Sequence, residues 1–428
     1  MKYLSYIDRS FIFNQLAFYF LLGSGAYIIL LWSPNIVGKH FSRWINIIIY
    51  IIPWLLLWLV YSWQVVADRE HRLEIILILS IIILGIVNTA FSDSVSKSLD
   101  AMPTFLLTGI FALWAAMFSV NNQHRRQVFD WFCAGAMAVI ILVEIIAWSI
   151  RGRHGPGVFQ IFILHPIPLG TLIILLSPGP VRLIAAKNFT MRAAGGLLVL
   201  FGGLLIFLTH KRGTWLALAT ILVVGMVYLV RQQKYLLISI CLVIALILPL
   251  EAQRRFARLD PNTPHYVSIL HRLELYPFAL HVWKTHPIMG IGLRPSTHEN
   301  YLPDYHLHNQ HLHEFSRGVA TIQTFDNMLL TALAELGSLM TLLYFGLVIA
   351  ILARYCRQLR SSPGSSPLGW YRGLVLLGFA IHSLSYDSLL FPSVNWLFHV
   401  QVGIMAGYHS FEGARLSHQS GVMGLSET

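Results

Sequence analysis

Apolar positions run along this chain in blocks of 16 to 26 residues separated by short polar breaks. Crossing about 30 Å of hydrocarbon at 1.5 Å per residue takes roughly 20 apolar residues in a helix. Twelve such spans are predicted, at about 12–32, 44–66, 73–91, 103–120, 128–150, 161–177, 194–209, 214–230, 235–250, 327–352, 371–388 and 394–411. Only His210–Gly213 separates the seventh from the eighth, which predicts a tight helical hairpin. One break is long: residues 251–326 are polar and hold nine histidines, several arginines and a cluster of acids. The first apolar run lacks a small-residue cleavage site and is expected to remain as the first span.

Composition agrees with the pattern. Hydrophobic residues make up 56% of the chain, charged residues 11%, and mean hydropathy is +0.64, where soluble domains carry about 25% charged residues. The expected fold is therefore an all-α integral membrane protein of about twelve transmembrane helices, with one large loop containing short helices. Its expected parts are transmembrane helices 1–9 over 1–250, the loop with the substrate-binding region over 251–326, helices 10–12 over 327–411 and a cytoplasmic tail over 412–428. The three cysteines, Cys133, Cys241 and Cys356, have spacings that suggest neither disulfides nor a metal site.

Charge orients the spans. With the N-terminus inside, the inner loops collect sixteen Lys and Arg and the short outer loops seven, as the positive-inside bias requires. Both termini are then expected to be cytoplasmic and the long loop to face outward, which in a bacterium means the periplasm. The net charge of +11 is accounted for by this topology, so nucleic-acid binding is set aside. Against the bias, Arg151 and Arg153 lie in a Gly-rich outer turn, and Lys211 and Arg212 at the hairpin tip. Guanidinium groups at headgroup depth suit a phosphate-bearing ligand; snorkelling to lipid headgroups is the alternative.

Three blocks then carry a resemblance. Thr209-His-Lys-Arg-Gly-Thr-Trp-Leu-Ala-Leu218 resembles the Ser-Arg-Gly-x-Trp-Leu hairpin of the O-antigen ligase and polymerase superfamily. The stretch from His271 to Leu293, with His-Pro-Ile-Met-Gly-Ile-Gly near its end, is similar to the loop signature of that superfamily. Asp326-Asn-Met-Leu-Leu-Thr-Ala-Leu-Ala-Glu-Leu-Gly337 is similar to the start of its following span, His-Asn-x-Tyr-Leu…Glu-x-Gly. The resemblance covers about 150–345; the first 150 residues match by hydropathy alone. It implies a metal-independent, GT-C-like membrane glycosyltransferase with no cofactor. Such an enzyme moves a glycan from undecaprenyl diphosphate to an acceptor hydroxyl, on lipid A–core for a ligase or on another lipid-linked unit for a polymerase. It also implies the bacterial inner membrane, with donor and acceptor entering from the lipid.

The resemblance assigns Arg212 and Arg272 to the diphosphate, with Arg294 and Lys211 as further candidates. The acceptor needs a general base, and here the chain departs from the pattern, because Asp326 stands where the superfamily has histidine. Asp326 is the first candidate and His313 or His308 the next; an N-cap is the non-catalytic alternative for Asp326. Glu144 is a candidate partner of Arg151 or Arg153, or a shaper of the acceptor site. Glu335 is expected in helix packing or a polar network, with direct catalysis as the alternative. His306, His308, His311 and His313 match no established zinc spacing, so no metal is assigned. His382 and Asp387 receive no role. A twelve-span carrier or a lipid flippase is the rival reading; no repeat relates the two halves, as many carriers would show.

Overall fold

The computed structural model describes residues 2–29, 71–151, 166–209, 211–231, 264–294, 297–308, 325–361 and 367–407. The predicted spans 44–66 and 235–250 lie outside these, as do Arg153, His313 and the tail. Among the described residues the structure is helical throughout, with no strand. In chain order come α1 (Lys2–Tyr27), α2 (Arg72–Ala90), α3 (Val95–Ser119), α4 (Gln123–Arg151), α5 (Pro166–Leu176), α6 (Pro178–Ile184), α7 (Phe189–Leu208) and α8 (Arg212–Arg231). Then follow α9 (Pro264–Thr285), a 3₁₀ turn (His298–Tyr301), α10 (Leu302–His308), α11 (Met328–Ser361), α12 (Pro367–Ser383) and α13 (Pro392–Ala406).

Among the described residues five helices, α2, α3, α4, α7 and α11, are long and apolar enough to cross a membrane. A sixth span results if α5 and α6, bent by 41°, count as one; Pro178 and Pro180 at the joint remove helix donors and account for the bend. The described residues therefore show a multi-span helical protein but do not reach the predicted twelve.

Helix α13 is the centre of the bundle, with every residue from Ser393 to Ala406 buried. It packs on α3, α5 and α11, and closely on α3, since a Cβ at Gly403 would meet the carbonyl of Leu113. Within α3, Leu106–Phe111 is wound as a π-helix, and Gly109 there lies against Asn395 and His399 of α13. At one end of α13, Arg372 bonds Gln401 at 2.7 Å and Asp130, closing a buried charge cluster that Arg182 also approaches. The candidate site lies at the other end of α13.

Helix α12 stops at Ser383, five residues short of the predicted 388. Residues 384–391 form a connection containing a 3₁₀ turn, so Asp387 stands outside the helices and caps that turn by accepting from Leu389 N at 3.2 Å.

Candidate active site

Helix α11 breaks at Gly337, whose φ of 70° and ψ of 175° are open to glycine and strained for other residues. The break fits the Gly290-Ile291-Gly292 turn. Ile291 N donates to Ala334 O and Gly292 N to Glu335 O, both at 3.0 Å, while Ser338 N donates to Pro287 O at 2.8 Å. Gly290 and Gly292 also have positive φ, 69° and 111°. The His-Pro…Gly-x-Gly stretch and the Glu-x-Gly stretch thus form one interlocked backbone joint. Asn88 at the end of α2 braces it, its Nδ2 donating to Met289 O and Glu335 O, and Ser92 Oγ donates to Ile291 O at 3.2 Å. Tyr301 Oη reaches Asp93 Oδ2 at 2.6 Å and ties the following turn to the same place.

The joint aims Glu335 and Arg294 at each other. Glu335 Oε2 accepts the backbone N–H of Arg294 at 3.0 Å, holding Arg294 at a φ of 46°. The Arg294 guanidinium donates to Leu389 O at 2.8 Å and Leu390 O at 3.2 Å in the connection. Among the described residues, two of its five N–H donors are used in this way. Burial pulls the Arg294 pKa down, and the carboxylates of Asp387 and Glu335 pull it back up. Asp387 is pushed up to about 7, by burial first, with Arg294 opposing and Glu335 adding to the rise. Arg294, Glu335 and Asp387 line a cavity of about 60 Å³ with Thr331, Asn395 and His399 at its walls.

The same connection meets the other two blocks. A Cβ at Gly213, beside Arg212 at the start of α8, would collide with Ser385 Oγ. The hairpin there is stapled by Phe207 and Trp215, stacked at 5.4 Å and 5°, and by Trp215 Nε1 donating to Ile206 O at 3.0 Å. Tyr276 of α9, four residues after Arg272, donates to Leu384 O at 3.2 Å, and Asn327 Nδ2 donates to the same carbonyl at 3.0 Å. His382 lies between Thr171 and Ser388, at 3.4 and 3.3 Å, under the connection.

Each expected site residue has a place in this frame, or lies outside it. Arg212, Arg272 and His308 sit on helices α8, α9 and α10; His313 and Arg153 fall outside the described residues and Arg151 closes α4. Lys211 is half-buried in the hairpin, its N–H on Thr209 Oγ1 at 3.4 Å. Asp326 has a φ of 51°, and its electrostatic influence reaches Asp387. The cap of α11 belongs to Asn327, whose Oδ1 accepts from Leu329 N and Leu330 N at 3.0 and 3.1 Å; the N-cap alternative for Asp326 gives way to its neighbour. Glu144 is 1% exposed, with no hydrogen bond to either carboxylate oxygen among the described residues. Glu335 does lie in a polar network, as expected. Asp387 was missed, because its span was drawn through it; the polar run Ser383–Ser388 was the available signal. Among the described residues no group of three or more His, Cys, Asp or Glu is arranged to hold a metal ion.

Fold and site together define a multi-pass membrane protein with an Arg-carboxylate centre against the connection between α12 and α13. Residues 197–345 match the family model described as O-antigen ligase, a range that takes in residues 209–218, the loop stretch and the break in α11 at Gly337. The chain is thereby similar to the O-antigen ligase and polymerase superfamily over that region; that family implies a membrane glycosyltransferase-like enzyme and lipid-linked glycan substrates. No curated protein matches the chain.

Proposed function

We propose that this chain transfers a glycan from undecaprenyl diphosphate to an acceptor hydroxyl on lipid A–core at the periplasmic face of the inner membrane, as an O-antigen ligase does. The observation that supports this most is the convergence of all three blocks on residues 382–390, through Gly213, Tyr276, Arg294 and Asn327. Arg212 and Arg272 hold the diphosphate, with Lys211 beside them and Arg294 adding its guanidinium. The acceptor oxygen attacks the anomeric carbon as the bond to the diphosphate oxygen breaks, and the leaving diphosphate takes the bonding electrons. Cations at fixed positions stabilise that growing charge without metal.

The acceptor proton goes to a general base. Asp326, in the superfamily's histidine position, is the first base, with His313 and His308 upstream as alternatives. Asp387 earns a second reading, since a base is most effective when its pKa lies near the working pH and burial brings Asp387 to about 7. Arg151, Arg153 and Glu144 remain proposals for contacts at the acceptor side.

Reconstituted protein supplied with an undecaprenyl-diphosphate-linked oligosaccharide tests the reading. Label moving onto lipid A–core supports a ligase; a ladder of longer lipid-linked chains without lipid A–core makes the protein a polymerase. Movement of the intact lipid-linked donor between leaflets, with no new glycosidic bond, would replace the reading with a flippase.

A further inference from the structure

His298 does not line the cavity, yet its side chain is buried. It opens the 3₁₀ turn four residues beyond Arg294, with its ring edge-on to Phe325 at 5.0 Å and 88°. Its Nε2 lies 3.2 Å from Glu335 Oε1, an ion-pair distance without hydrogen-bond alignment. Neither of those two atoms has a hydrogen-bond partner elsewhere among the described residues. A buried carboxylate oxygen without a donor is costly, and the imidazole at 3.2 Å is a donor placed to relieve it. The other oxygen of Glu335 holds the N–H of Arg294.

We propose that His298 is a positioning residue for the lipid-diphosphate site: it pins Glu335, and Glu335 in turn fixes the left-handed backbone of Arg294 and thereby the direction of its guanidinium. The inference rests on the reading above in which Arg294 contributes to the diphosphate grip. Arg294 pays for an unfavourable backbone conformation only if its surroundings fix it from several sides. Glu335 secures its N–H, and Leu389 O and Leu390 O secure its guanidinium. Without His298, Glu335 Oε1 would turn towards another donor, and the carboxylate would release the Arg294 N–H.

The test measures donor KM, kcat and the binding of geranylgeranyl diphosphate, a glycan-free prenyl diphosphate, in wild type, His298→Ala, His298→Gln, Arg294→Ala and the His298→Ala/Arg294→Ala double variant. His298→Ala is expected to raise donor KM and weaken prenyl diphosphate binding by about 10²-fold or less, as for a displaced positioning group, with acceptor KM unchanged. His298→Gln restores much of the binding, because its amide N–H occupies the place of Nε2 and donates to Glu335. In the Arg294→Ala background the same substitution costs nothing further. Additive losses in the double variant, or wild-type binding by folded His298→Gln and His298→Ala alike, would overturn the inference while leaving the proposed function standing. Wild-type protein that binds no prenyl diphosphate would overturn both.

Discussion

Gly290 and Gly337 meet backbone against backbone: a Cβ on Gly290 would collide with the carbonyl of Glu335, and one on Gly337 with the carbonyl of Ile288. Both have φ near 70°. That contact breaks α11 in the turn where Glu335 sits and carries Arg294 to the connection before α13. Steric demand and backbone conformation thus act together at one point.

Gly337→Ala is accordingly expected to damage the joint rather than merely stiffen it. Adding Ala at positive φ costs more than about 1 kcal/mol even without a collision, and here the chain must also move apart. The apparent Tm in detergent should fall and transfer activity should be lost. Gly346→Ala, further along α11 with nothing within 4 Å of its Cβ position, is the control and should unfold at or above the wild-type temperature.

Asn88→Ala removes the brace from the far side of the joint. It removes the Asn88 donor from the carbonyl of Met289, while that of Glu335 keeps the N–H of Gly292; a carbonyl left without a donor costs about 1–3 kcal/mol where burial is complete. Thermal unfolding should register it, and Asn88→Asp should be worse than Ala because a carboxylate faces two carbonyl oxygens.

The acid held near pH 7 makes the choice of base measurable. If Asp387 takes the acceptor proton, transfer rises with pH through about 7, and Asp387→Asn removes that limb. If Asp326 is the base, Asp326→Asn abolishes transfer while Asp387→Asn leaves the rest of the profile. Stability follows the opposite course. The folded state holds the Asp387 proton up to about 7, against an ordinary value of 3.8, so it binds more protons than the unfolded chain in between. The contribution is full below 3.8 and is lost as pH rises to about 7. Asp387→Asn should flatten that slope in apparent Tm against pH.

Loss of a single hairpin cation should affect the chemical step. Arg212→Ala is expected to lower kcat by about 10²–10³, the usual consequence of removing one fixed donor from a developing anion. Arg212→Lys should recover only part, since an ammonium lacks the planar fork that matches phosphate.

Much of this arrangement was legible in the sequence because its causes are local. Runs of apolar residues specify helices, His210–Gly213 forces a hairpin, and glycines in Gly290-Ile291-Gly292 and at Gly337 mark backbone that no other residue tolerates well. Glu335 in a polar network follows from an ionisable group in an apolar run. The position of Asp387 was not legible, because hydropathy carried α12 on to 388 where the chain instead leaves the helix at Ser383. Asn88, Asp93 and His298 were also unreadable as parts of the site. Their partners are Glu335, Tyr301 and again Glu335, and pairings such as Asn88 with Glu335, 247 positions apart, are set by tertiary packing alone.

Glycan release from lipid diphosphate is the most direct measure of the central claim. Purified protein in liposomes would receive undecaprenyl-diphosphate-linked oligosaccharide carrying a labelled sugar, with lipid A–core as acceptor. The account predicts label on lipid A–core, free undecaprenyl diphosphate in equal amount, and about 10²-fold less of both, or lower still, with folded Arg212→Ala. Donor left intact by folded wild-type protein across several glycans, with lipid A–core or a lipid-linked acceptor present, would contradict it.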